Sequence, residues 1–390
     1  MNKRFYSLDV FRGATVAFMI LVNNPGTWSA IFPPLDHAPW HGCTPTDLVF
    51  PFFLFAVGNA TAFVMPRLQE AGDKAFWKKV TIRTLLILAI GIFLNWSPFV
   101  RWENDVLVFK HWVNPDNPLS GVRITGVLQR IALCYFFASV IIYYTKPKVA
   151  AIIGAVLLLV YWVLTYTLGD PADPYSMAGY FGNAIDQAVL GVPHIYKGEK
   201  ILFDPEGLAG VLSSTVEVII GYLAGRFIVL RGKTFEMVTT LLLAGCALVF
   251  TGYCWDMIFP INKKIWTSSY TMYTSGLAII TICFLLYWIE LKNRPAKGLK
   301  FFEVFGKNPL FIFVLSGFLP RVLGLLRWPA GLSNDGKQLY TSPFPWFYEH
   351  ICKPLSSNLK IGSLIYAIIT VLFYWMLAYW LDRRKVYIKV

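Results

Sequence analysis

Apolar runs broken by short polar, basic or Pro/Gly-rich stretches recur along the whole chain. Lipid offers backbone amides and carbonyls no partner, so an apolar run of about 20 residues reads as a membrane-spanning helix. The pattern predicts ten spans, at roughly 8–24, 45–65, 80–97, 124–145, 149–168, 208–230, 236–256, 270–290, 308–327 and 361–381. The first is short, and Pro320 and Arg321 interrupt the ninth. The expected fold class is all-α, a polytopic membrane helical bundle of about 10 transmembrane helices forming one transmembrane domain over 1–390. No internal repeat is visible, which weighs against a transporter built from repeats. The first apolar run follows Lys3, Arg4 and Arg12 without a small-residue cleavage site, so it is expected to stay as the first helix.

Composition agrees with lipid as the main solvent. Charged residues make up 15% against 56% hydrophobic, too few to cover a water-soluble surface. The 14 Trp and 20 Tyr suit the two water–lipid interfaces. A net charge of +13 would fit nucleic acid, but the basic residues lie in short clusters between spans and form no continuous stripe, so no nucleic-acid partner is expected. Those clusters set the orientation instead, because Lys and Arg gather in short cytoplasmic loops. Lys3 and Arg4, Lys74 to Arg83, Lys146 and Lys148, Arg226 to Lys233, Lys292 to Lys300 (with Arg294 and Lys297) and Arg383 to Lys389 all fall on one side. The stretch 24–45 on the other side has none, so both termini are expected in the cytoplasm. The six Cys show neither CxxC nor zinc spacing, and no metal is expected. Only Cys43 and Cys352 fall in outer loops, where a bridge is allowed but not favoured.

All five His (His37, His41, His111, His194 and His350) fall in the predicted outer segments. Two of these, 98–123 and 169–207, are rich in Pro, Gly, Asp and Asn and are expected to be irregular, ordered caps. The stretch from Asn23 to Gly58 gathers an amide, an imidazole and a carboxylate near one mouth of the bundle: Asn23, His37 and Asp47. A neutral His takes a proton from an attacking group or accepts an acyl group itself. An Asn steadies an oxyanion and an Asp orients the imidazole. Each also has a plainer reading. Thr44-Pro45-Thr46-Asp47 is a helix start with Asp47 as a capping carboxylate, Asn23-Asn24-Pro25 is a turn, and a loop His is usually a surface residue. Inside the spans, Arg130 (after Gln129) and Glu217 are costly charges that either pair with each other or line a substrate path. Asp9 and Arg12 form a local ion pair, or Arg12 meets an anion entering from the cytoplasm.

These stretches resemble the heparan-α-glucosaminide N-acetyltransferase family. The resemblance rests on Ser7-Leu8-Asp9-Val10-Phe11-Arg12-Gly13, on His37-Ala38-Pro39-Trp40 ahead of Asp47-Leu48-Val49-Phe50-Pro51-Phe52, and on Arg123-Ile124-Thr125-Gly126-Val127-Leu128-Gln129-Arg130. Phe203-Asp204-Pro205-Glu206-Gly207 and Pro260-Ile261-Asn262-Lys263-Lys264-Ile265-Trp266 extend it over most of the chain, in order. The resemblance implies a transmembrane acyltransferase domain, generally dimeric, that passes acetyl from cytosolic acetyl-CoA to the amine of a glucosamine-type sugar on the far side. It implies His37 as the active histidine and Asn23 as its catalytic amide, with Asp47 orienting His37. Arg12, Arg130 and Gln129 are then the candidate contacts of acetyl-CoA. Asp186, His194, Asp204 and Glu206 are the candidate contacts of the amino-sugar acceptor. Nothing carries over to Glu217. The animal enzymes' luminal portion and leading helix have no counterpart ahead of the first span, which favours an unlike acceptor and a bacterial inner membrane. Two other functions fit the pattern: a permease for amino sugars or cell-wall fragments, and an O-acetyltransferase of an envelope polysaccharide.

Overall fold

The computed structural model describes residues 5–103, 105–292, 298–333 and 335–388. Lys3, Arg4, Arg294, Lys297 and Lys389, which contribute to the charge pattern, lie outside the described residues. The chain is mostly helical. Helix α1 (Tyr6–Asn23) leads to a turn over Pro45–Leu48, then α2 (Val49–Ala71), α3 (Asp73–Trp96), α4 (Val127–Tyr144) and α5 (Pro147–Leu168). A short α6 (Gly182–Leu190) precedes α7 (Val211–Arg231), α8 (Phe235–Asp256) and α9 (Ser268–Leu285), whose last turns widen to a π-helix over Leu286–Leu291. Helices α10 (Leu299–Lys307), α11 (Pro309–Leu323), α12 (Pro343–Phe347) and α13 (Leu359–Arg383) complete the order.

Eight helices among the described residues are long and apolar enough to cross a membrane. A ninth span would be α10 with α11, which bend by 82° where Asn308-Pro309 breaks the helix. The tenth expected span is α1, an 18-residue helix whose first turns carry Asp9 and Arg12. Helices α1, α10 and α13 meet: Tyr6 donates to Glu303 (3.1 Å), and Lys307 bridges Glu303 (3.0 Å) and Asp382 near the end of α13 (2.9 Å). The start of α1 and the end of α13 therefore share one face.

Helix α7 is the axis of the bundle, buried between α2, α4, α5 and α9. Its closest neighbour is α2, and the approach depends on glycine. A Cβ on Gly58 would run into the Val218 carbonyl, and one on Gly221 into that of Phe55. Small residues at such crossings let backbones meet, which in lipid substitutes for the hydrophobic drive available in water. Helices α3, α5 and α8 turn Leu85, Ile152, Leu243 and Phe250 outward, as lipid-facing helices should.

One expectation needs correction. The segment 98–123 is not irregular: it forms two antiparallel hairpins, β1 (Val100–Glu103) with β2 (Val106–Phe109) and β3 (Val113–Asn114) with β4 (Asn117–Gly121). A third hairpin pairs β5 (Trp328–Leu332) with β6 (Gln338–Thr341). The fold is thus helical in the membrane region with small β caps outside it. All six cysteines are free, Cys352 buried and Cys43 partly so, and no bridge joins them.

Candidate active site

The loop between α1 and α2 carries His37 and closes on itself through Asp47. His37 Nδ1 lies 2.6 Å from Asp47 Oδ1, while Asp47 Oδ2 accepts from the backbone amides of Ala38 and Thr44, both at 3.0 Å. Asp47 therefore fills both roles left open by the sequence: it caps the turn that starts α2 and it orients the imidazole. Its carboxylate is 1% exposed, whereas the His37 side chain is 38% exposed and faces the cavity. From α9, Tyr270 Oη donates to the Asp47 carbonyl (2.6 Å) and anchors the turn from below.

A second loop, between α8 and α9, completes the site. Gly42 donates to the Ile261 carbonyl (2.7 Å), and Gly42 and Asn262 form a short parallel bridge. This contact delivers Lys263 to the imidazole: its Nζ is 3.1 Å from His37 Nδ1 and 3.3 Å from Asp47 Oδ1. Burial pulls the Lys263 ammonium below the ordinary lysine range, against the opposing pull of Asp47 and Glu206. One imidazole nitrogen thus has two claimants, with the carboxylate the closer.

The cavity in front of His37 has a volume of about 280 Å³ and is walled by Trp40, Trp266, Tyr196, Arg123 and Glu206. Arg123 is clamped by Asp204 (2.9 Å from its Nε) and also bonds Glu206, with its guanidinium 4.5 Å over the Tyr196 ring. Burial raises the Asp204 carboxyl, but the Arg123 bond and charge outweigh it, so the net shift is downward. Aromatic faces beside a carboxylate and cations suit a polar ring bearing hydroxyls and an amine.

The other candidates are placed as follows. Glu206 lines the cavity, whereas Asp204 stands behind it, holding Arg123. Asp186 is buried in α6 and accepts from the Leu208 amide (2.8 Å), and burial pushes its carboxyl up to about 6. His194 is buried against Trp112 with Nδ1 2.6 Å from the Val122 carbonyl. Asn23 is the exposed last residue of α1 and is not among the residues lining the His37 cavity. Arg130 donates to the Gly207 carbonyl (2.7 Å) and lies 5.3 Å from the Trp266 ring, so it sits behind the cavity wall. Two of its nitrogens, Nε and Nη1, are buried without a hydrogen-bond partner among the described residues. Gln129 packs against Gly91. Glu217 does not pair with Arg130; Ser275 (2.9 Å) and Thr274 (3.2 Å) donate to it.

A second cavity, of about 390 Å³, lies at the end of the bundle where α1 begins. Arg12, paired with Asp9, lines it together with Arg67 and the buried Asn59, whose Nδ2 has no hydrogen-bond partner among the described residues. Both cavities touch α2, the His37 cavity at Phe50 and the Arg12 cavity from Ala56 onward, so about 9 Å of helix separates them.

Lys263 and Arg123 are the functional candidates that sequence reasoning left without a role. Both belong to the motifs quoted above, but Lys263 is 226 residues from His37, and only the fold joins them.

Fold and site together define a polytopic helical membrane protein with a cavity-facing histidine on a buried aspartate at one end of the bundle and an arginine-lined cavity at the other. The family model described as heparan-alpha-glucosaminide N-acetyltransferase, catalytic, matches residues 4–183, which include His37, Asp47, Arg12 and Arg123. The heparan-alpha-glucosaminide N-acetyltransferases of Homo sapiens and Mus musculus are each 27% identical over 369 residues, 80% of this chain. The chain is similar to that family's catalytic part over its first half and to these two enzymes over most of its length. It spans about half the length of these relatives, 52% and 53%.

Proposed function

We propose that the protein is a transmembrane acetyltransferase, moving acetyl from cytosolic acetyl-CoA to the amine of a glucosamine-type sugar on the opposite side. The observation that carries this reading is the His37–Asp47 pair, fixed from both loops, inside the stretch that matches the family's catalytic region. Acetyl-CoA fits the two-cavity arrangement. Its anionic head suits the inner cavity with Arg12 and Arg67, and its narrow arm needs to pass only the short stretch of α2 between the cavities. Asn59, with an unpartnered donor, stands ready for one of the arm's carbonyls. Arg130 and Gln129 line neither cavity, and a part for them needs the arm to pass behind Trp266, where the unpartnered nitrogens of Arg130 favour an incoming oxygen.

At the outer cavity, Asp47 holds Nδ1–H, which leaves Nε2 as the basic nitrogen. Nε2 then either takes the acceptor amine's proton as the amine attacks the thioester carbon, or receives the acetyl group first and passes it on. Glu206 and the aromatic walls hold the sugar, and Arg123 keeps Glu206 in place. Asp204 acts through Arg123, while Asp186 and His194 shape the surrounding loops. Asn23, at the end of α1, would steady the oxyanion only if the acetyl carbonyl reached that helix end. A homodimer in a bacterial inner membrane, with both termini in the cytoplasm, completes the reading.

The test is acetyl transfer from labelled acetyl-CoA to glucosamine by detergent-purified protein. His37→Ala is expected to lower transfer by about 100-fold or more while acetyl-CoA binding persists. Equal rates would remove His37 from the chemistry. A permease would instead accumulate sugar without acetyl-CoA, and an O-acetyltransferase would leave an ester in the product's mass spectrum.

A further inference from the structure

The outer cavity already contains a primary amine beside the proposed base. Lys263 Nζ stands 3.1 Å from His37 Nδ1 and 3.3 Å from Asp47 Oδ1, beside the imidazole whose other nitrogen, Nε2, is the base. Its side chain is 22% exposed and lines the same cavity as His37, so both face any acetyl group that enters it. The neighbouring Lys264 makes an informative contrast. It lines the same cavity, but its Nζ is held by Glu199 at 2.8 Å and leans over Trp40, away from the imidazole.

We infer that Lys263 is a self-acetylation site: with acetyl-CoA bound and no sugar in the cavity, Lys263 takes the acetyl group in place of the acceptor. The inference rests on the acetyltransferase reading above. In this step Nζ attacks the thioester carbonyl carbon, an N–C bond forms and the C–S bond breaks. Rotation of the flexible lysine stem carries Nζ round the ring to Nε2 of His37, which takes one amine proton and passes it to the sulfur, leaving the thiol of coenzyme A. The uncharged fraction of the amine, which alone is nucleophilic, is raised by the burial that disfavours the ammonium; Asp47 and Glu206 pull the other way. Acetyl-Lys263 has no charge to offer Asp47 and places its bulk against the imidazole. The modified protein is therefore shut until deacetylated, and the acceptor protects the enzyme by occupying the cavity first.

The experiment incubates wild type and His37→Ala with deuterated acetyl-CoA in an amine-free buffer, with and without excess glucosamine, and maps the label by peptide mass spectrometry. Matching size-exclusion profiles show that both proteins are folded. The expected result is label on Lys263 but not Lys264, suppressed by glucosamine and reduced about 100-fold or more in His37→Ala. Label appearing equally on Lys264, or undiminished in His37→Ala, is chemical acetylation and overturns the inference. Glucosamine acetylated while Lys263 stays unlabelled overturns it too, yet leaves the enzyme reading standing. If neither glucosamine nor Lys263 is acetylated, the enzyme reading fails and takes the inference with it.

Discussion

At the scale of single residues, Asp47 shows why function and folding are hard to separate at this mouth. The same carboxylate accepts the Thr44 and Ala38 amides and faces His37. Asp47→Asn keeps a capping oxygen but loses the charge that favours the Nδ1–H tautomer. Transfer should fall by about 100-fold or more, whereas melting in detergent should shift by no more than about 1 kcal/mol; a large loss of both would make Asp47 chiefly structural. Asp186 offers a cleaner electrostatic test. Its carboxyl is raised to about 6 by burial, so the folded state prefers it protonated. The stability this gives is complete below the unfolded value near 4 and is lost as pH rises through 6. Asp186→Asn should therefore stabilise the protein at pH 8 by on the order of 2 kcal/mol and change little at pH 4, read from melting curves. The contact between His37 and Asp47 was legible in the sequence because one loop holds both and their chemistry is paired. The place of Lys263 beside them was not, since no local pattern links residues brought together by two separate loops, and Arg123 stood only as the first residue of a motif.

At the scale of elements, eight of the expected spans were legible because lipid demands long apolar helices, and their ends agree with the predicted ranges to within several residues. The hairpins at 98–123 were not: strands of two to five residues carry too little alternation to stand out among Pro, Gly and Asn. The α10–α11 bend was visible only as Pro309, a residue that also opens ordinary helices. Packing between α2 and α7 rests on backbone contact at Gly58 and Gly221. Gly58→Leu should abolish the monodisperse size-exclusion peak, while Gly298→Ala, which meets nothing within 4 Å, should leave it unchanged. Survival of the peak in Gly58→Leu would mean the two helices can separate without loss of the fold.

At the scale of the whole molecule, two cavities open at opposite ends of α2, and the reaction proposed here needs them on opposite sides of a membrane. Cysteine replacing Asp116, in the β3–β4 turn, should react with an impermeant maleimide on intact cells. Cysteine replacing Lys148, at the start of α5, should react only after lysis. The reverse pattern would invert the orientation and with it the side from which acetyl-CoA enters. The tie between the two outer loops also bears on how the protein is made. His37 and Lys263 stand 226 residues apart, so at a synthesis rate of about 5–20 residues per second the first loop waits on the order of 10–45 s for the second. During that interval the nascent chain has its histidine but not the Gly42–Asn262 bridge that closes the mouth around it. A ribosome stalled before α9 would leave an inert fragment in the membrane. Two separately made halves divided at the α7–α8 turn would have to find each other before either could act.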